Sequence, residues 1–258
     1  MALSNSDLIL RCSASRPKDD VSTSGGAKDP DVRPTFTQLA ANDDLEVLSA
    51  SAGDTTPKMT VIARKPDGVI ETSAATTLTG TSAVQIAGLS AADERVLEAL
   101  LDADAAGVVT LRRRPGGATI CDIPVGERGI HCMFYNAASS AVATRRYEKT
   151  FWENVHGTLA LTEARVRLTA DPASVIKIAV EDAKGDSSSL SVRLESDTDN
   201  TLSSALGLTF VDDNVYQSVP GGYLGAGENI GVWLQMALTP DQAPVRSTAT
   251  LEISGSSA

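Results

Sequence analysis

Trp152, Glu153, Asn154 and His156 cluster within "YEKTFWENVHGT", and the chain holds only two Trp and two His. A histidine beside a carboxylate is raw material for general acid–base chemistry. It also needs a group to orient the imidazole and a nucleophile or proton acceptor in reach. Only Glu153 and Asn154 are at hand, and in an extended strand adjacent residues point to opposite faces. The stretch therefore reads more simply as a corner. Phe151 and Trp152 enter a core at a first strand, and "ENVHGT" turns the chain toward the next. His131 stands beside Cys132 in "RGIHCMFYN". A Cys/His dyad requires adjacency in space, which strand neighbours lack, so His131 reads as a packed or interface histidine.

The other groups with chemical potential point to surfaces and turns. Arg112, Arg113 and Arg114 form the strongest basic run, next to the turn "RPGG". Such a run is a solvated hairpin tip or a contact for an acidic patch on a partner or neighbouring subunit, and both readings stand. The acidic loops "ESDTDN" (195–200) and "VDDN" (211–214) offer oxygen ligands. Neither has the spaced ladder and distal bidentate glutamate of a calcium loop. "GGYLGAGENIG" (221–231) lacks the pattern of a phosphate-binding turn opening a helix. Cys12, Cys121 and Cys132 are odd in number and widely spaced, and they are expected as reduced, buried thiols. No catalytic, cofactor-binding or metal-ligating residue is assigned, no cofactor is expected, and the chain is not expected to be an enzyme.

The elements that would position these groups are mostly strands. The 258 residues are 42% hydrophobic but only 4% aromatic, which suits β packing of small residues. Met59, Val61 and Ala63 alternate with polar residues before the turn "KPDG", and Val109 and Leu111 lead into "RPGG" with Ile120 leading out. Two hairpins with Pro-then-Gly turns predict an antiparallel β-domain. Between them "LSAADERVLEALLDADAAG" predicts a helix. Ser90 and Asp93 resemble a capping box, Val96, Leu97, Leu100 and Leu101 form one face, and Gly107 ends it. From Tyr147 a second series follows: Ala164, Val166 and Leu168; Ile176, Ile178 and Val180; Leu190, Val192 and Leu194; Val232, Leu234, Met236 and Leu238; Ala249, Leu251 and Ile253. Period-two runs of this kind predict a sandwich of immunoglobulin-like size.

Residues 13–35 show no apolar periodicity and carry adjacent glycines and several prolines, so they read as an extended arm or linker. The patch Leu8-Ile9-Leu10 before them could dock as a strand on something else, or fray. The N-terminus lacks an apolar run long enough for a signal peptide, and a cytoplasmic origin is expected. The formal charge is −11, most of it in 147–258, with fifteen acidic against seven basic residues. Binding to nucleic acid or to an anionic membrane is not expected of such a surface.

"LEVLSASAGDTTPKMTVIARKPDGVIETSAATTLTGTSAV" resembles the first β-domain of virion structural proteins from tailed bacteriophages. "YEKTFWENVHGTLALTEARVRLTADPASVIKIAVEDA" and "LGAGENIGVWLQMAL" resemble the companion domain. The likeness spans roughly residues 44–240 and rests on packing and turn motifs. The chain is thus expected to be all-β. An extended N-terminal arm (1–35) precedes two β-sandwich domains, immunoglobulin-like or jelly-roll-like, over 36–146 and 147–258, the first with one short helix. The resemblance implies a structural protein of the virion, assembled in the host cytoplasm. It would bind the major capsid protein as a cement, decoration or minor capsid protein, with trimerisation implied by the likeness alone. Candidate interface residues are Leu8, Ile9, Leu10, Arg112, Arg113 and Arg114. A tail, collar or baseplate component, and a carbohydrate-binding or adhesin module, are the alternatives.

Overall fold

Short alternating runs separated by Gly, Pro, Asp and Ser cannot bury a face alone, so they pair into sheets, and the chain is all-β. The computed structural model describes residues 2–16, 23–34, 36–39, 44–89, 95–134, 144–185, 191–193, 207–241 and 248–257. The first strands are β1 (Leu8–Ser15) and β2 (Thr23–Lys28). Ten follow: β3 (Val32–Arg33), β4 (Leu45–Ser49), β5 (Lys58–Arg64), β6 (Ile70–Thr72), β7 (Thr76–Thr77), β8 (Val84–Gln85), β9 (Arg95–Leu101), β10 (Val109–Arg113), β11 (Thr119–Ile123) and β12 (Gly129–His131). The last are β13 (Thr144–Asn154), β14 (Leu161–Ala170), β15 (Ile176–Lys184), β16 (Ser191–Arg193), β17 (Gln217–Ser218), β18 (Tyr223–Leu224), β19 (Asn229–Leu238) and β20 (Thr250–Ser257).

The chain forms two compact units. One is continuous, Pro30–Met133; the other combines Met1–Asp29 with Phe134–Ala258. We call them the inserted unit and the split unit. The expected boundaries at 35/36 and 146/147 therefore differ from those observed, and the first 29 residues belong with the C-terminal half.

In the inserted unit one sheet runs β11-β10-β4-β8. A second runs β3-β12-β9-β5-β6, with β7 also on β5. Both hairpins read from Pro-Gly turns are present: β5 pairs with β6 around "KPDG", and β10 with β11 around "RPGG". Val47, Met59, Val61, Val96, Ala99, Val109, Leu111 and Ile123 share one apolar core drawn from both sheets.

The expected helix over 90–107 is not formed in its described part, 95–107. Ser90 and Asp93 lie outside the described residues, and Arg95–Leu101 is strand β9, paired with β12 on one side and β5 on the other. A central strand buried on both faces reads as a nearly continuous apolar run, which periodicity alone does not separate from a helix. A register shift opposite Leu97 also breaks the two-residue alternation. Gly107 closes no helix. A Cβ there would lie 2.8 Å from that of Ser51, so the residue marks a close backbone approach.

In the split unit the larger sheet runs β15-β19-β13-β1-β2-β16, and the smaller places β17 and β18 on one edge of β14 and β20 on the other. The predicted face of β14 is observed, with Ala164, Val166 and Leu168 buried. The expected arm is not free. Leu8–Cys12 pairs antiparallel with β13, and Ser13 and Ser15 pair with β2. Hydropathy hid this hairpin because its pairing rests on backbone hydrogen bonds between small residues such as Ser13, Ser15 and Gly25.

Candidate functional site

The Trp152–His156 cluster sits where β13 ends, and the Asn154 amide and the His156 Nδ1 hold the corner. Asn154 is fully buried. Its Nδ2 donates to the carbonyls of Leu159 (2.8 Å) and Leu224 (3.1 Å), and its Oδ1 accepts from the His156 N–H. His156 Nδ1 accepts the backbone N–H groups of Thr158 and Leu159. The imidazole is therefore a turn acceptor facing backbone donors. Glu153 turns the other way and receives Arg11 Nε at 3.1 Å and Lys28 Nζ. Burial works to raise the Glu153 carboxyl, but these two cations outweigh it and hold it below the ordinary range. The sequence placed both Phe151 and Trp152 in the core. Phe151 is there, whereas Trp152 lies on the opposite face of the strand and is half-buried.

His131 and Cys132 are likewise parted by strand geometry. His131 Nδ1 lies 3.2 Å from Glu98 Oε2, its cross-strand partner on β9, and both side chains are buried. Cys132 Sγ faces Gln38 and Arg95 instead. None of the three cysteines is in a disulfide and all are buried, and burial pushes the Cys121 thiol up to about 12.

The basic run is partly consumed by its own sheet. Arg112 Nε donates to Glu46 Oε1 (2.7 Å), which also accepts the Gly116 N–H of the turn (2.8 Å). Burial works to raise Glu46; the Gly116 and Arg112 donors reverse that and lower it. Arg112 and Arg113 are half-buried, and Arg114 is exposed with Asp44 3.5 Å away. Leu8, Ile9 and Leu10 are half-buried opposite Asn154, Glu153 and Trp152. The structure therefore brings the two candidate interface groups into different units.

The loop 195–200 lies outside the described residues; in 211–214, Asp212 pairs with Lys177 at 3.0 Å. Among the described residues no group of three or more His, Cys, Asp or Glu is placed to hold a metal, and no helix is long and apolar enough to cross a membrane. A cleft of about 450 Å³ is lined by Glu163, Arg165, Ser218, Gly222, Ser254 and Ser256. Two exposed tyrosines of the same unit are capped by cations. Arg165 and Arg167 lie 4.0 and 4.5 Å from the Tyr216 ring centre, and Lys184 lies 3.4 Å from that of Tyr223.

One constellation escaped the sequence reading. On β13, Tyr147, Lys149 and Phe151 share a face, and Trp233 on β19 stands directly opposite Lys149. Lys149 has no exposed side-chain surface, yet its Nζ lies 2.6 Å from Glu181 Oε1, which also accepts Trp233 Nε1 at 3.1 Å. The ammonium sits 4.5 Å from the Phe151 ring centre and 5.7 Å from that of Trp233. The available signal was a lysine between two aromatics at period two, which puts charge on an apolar face.

No protein-family model matches the chain, and no curated protein or solved structure does either.

Proposed function

We propose that this chain is a structural protein of a tailed-phage particle, binding the major capsid protein and stabilising the shell as a cement, decoration or minor capsid protein. One observation carries the reading: the groups able to do chemistry are spent on holding strands and turns. His156 and Asn154 fasten a corner, His131 faces Glu98, and Glu153 joins β13 to the β1–β2 hairpin. The stretches that carry the resemblance are also framework. "YEKTFWEN" and "GENIGVWLQMAL" pair along their length as β13 and β19. We read each unit as a β-sandwich, immunoglobulin-like or jelly-roll-like, because two sheets in each bury alternate apolar residues.

Contact with the shell would use the exposed hairpin tip at Arg114 and the half-buried face of Leu8–Leu10, each weak and made effective by repetition on a symmetric lattice. A homo-oligomer, a trimer among the choices, would add to that multiplicity. The carbohydrate-binding reading is less favoured. Trp233 is fully buried and the exposed Tyr216 and Tyr223 rings already face cations, which leaves few open stacking platforms.

The test is co-sedimentation of the full-length chain with purified expanded capsid shells, and separately with isolated tails, of the phage that encodes it. Saturable binding to shells at a fixed ratio to the major capsid protein, weakened by Arg114→Glu, is the expected result. Binding to tails alone moves the protein to the tail or baseplate, and binding to neither overturns the reading.

A further inference from the structure

We infer that Lys149 and Glu181 are joined, or become joined after folding, by an intramolecular isopeptide bond that clips β13 to β15 across β19. The two strands flank β19, and their side chains reach each other over Gly231. A Cβ at position 231 would lie 2.6 Å from Glu181 Cδ and 2.7 Å from Lys149 Cε, so only glycine leaves room for the pair to meet. Both side chains are more than nine-tenths buried, at 0% and 7% exposure. Nζ approaches Oε1 to 2.6 Å, and the carboxyl carbon lies one bond beyond. The contact holds the amine beside the carboxyl group it would attack, and proximity of this kind turns a bimolecular step into an intramolecular one.

The chemistry needs no outside reagent. One ammonium proton passes to the carboxylate and ends on Oε2, which leaves a free amine and a neutral acid whose carbonyl oxygen is Oε1. Nζ then attacks Glu181 Cδ; the C–N bond forms and the carbonyl π pair moves onto Oε1. The indole N–H of Trp233, fixed 3.1 Å from that oxygen, is placed to stabilise the developing negative charge. Collapse restores the carbonyl, breaks the bond from Cδ to Oε2, and releases that oxygen as water with protons taken from the original ammonium. Nothing is oxidised or reduced. Two charges that are costly to keep from water become one neutral amide, which favours the product in this dry, aromatic-walled setting.

Mass spectrometry of the denatured full-length protein tests this directly. The expected wild-type chain is one water molecule lighter than its sequence, and a proteolytic digest contains a branched peptide joining the Lys149 and Glu181 segments. Lys149→Met and Glu181→Ala each restore the full mass, and Trp233→Phe slows the appearance of the lighter species in freshly refolded protein. A wild-type chain of full mass yielding only linear peptides overturns the proposal, even if both variants misfold. A branch from Lys149 to a different carboxylate overturns it as well.

Discussion

Asp54 shows how one side chain can hold a turn that sequence marks only as polar. In the "SASAGDTT" stretch its carboxylate accepts the Ser49 hydroxyl and the backbone N–H groups of Ala106 (2.9 Å) and Gly107 (3.0 Å). It thereby ties the end of β4 to the approach to β10. The Ser49 hydroxyl first, then the Ala106 N–H, hold its carboxyl below the ordinary carboxylate range despite burial, and the Gly107 N–H adds to this. Donors aimed at a buried carboxylate are left unanswered when it is removed, at a cost of about 1–3 kcal/mol. Asp54→Ala is expected to destabilise the inserted unit by about that amount, seen as a lower denaturant midpoint with an unchanged slope. Asp54→Asn, which keeps the shape but replaces a charged acceptor by a neutral one, should fall between. An unchanged midpoint in Asp54→Ala would show that water serves these donors equally well.

β1 carries the element-scale argument, because the sequence presents it as an arm and the structure as a sheet strand. It lies between β13 and β2 in the strand order, and Arg11 and Lys28 fix the hairpin to Glu153. Deleting residues 1–15 is expected to bare the β13 edge, lower the thermal midpoint of the split unit and promote aggregation, as unpaired edges do. Differential scanning calorimetry with light scattering would read both effects. An unchanged midpoint would restore the free-arm reading. What was legible followed from local pattern. β5, β14 and both Pro-Gly hairpins announce themselves because one face of each strand is apolar and the turns need special residues. β9 did not, because a strand apolar on both faces loses its alternation and Leu97 falls at a register shift. The Lys149–Glu181 pair was hidden for a related reason. Lys149 and Glu181 lie thirty-two residues apart on strands that never pair with each other, and only β19 between them brings them together. The corner at Asn154 and His156 was readable as a corner because a Gly follows and both residues suit backbone capping.

At the scale of the whole molecule, acidity acts in two opposed ways. The chain carries a net charge of −11 with a pI near 4.6, so acidification from neutrality first relieves self-repulsion. The second effect is set by particular carboxylates in both units. Glu46 and Asp54 in one, and Glu153 and Glu228 in the other, sit below their ordinary values of 4.5 for Glu and 3.8 for Asp. For Glu228 burial works upward, while the Lys184 ammonium (2.5 Å) and the Gly225 N–H (2.7 Å) prevail. Each of these groups binds a proton less readily folded than unfolded. The unfolded chain therefore takes up more protons as acid is added, and stability falls with falling pH. The contribution is complete above the ordinary values and is lost as pH drops through the lowered ones. Since each unit has such groups of its own, both cores should weaken over the same window. Hydrogen exchange followed by mass spectrometry is expected to show β9 and β19 at least as protected at the pI as at pH 7, and both losing protection below about pH 4. Loss confined to β19 would place the acid-sensitive contacts in the split unit alone, and protection undiminished at pH 3 would mean that these carboxylate contacts add nothing to folding.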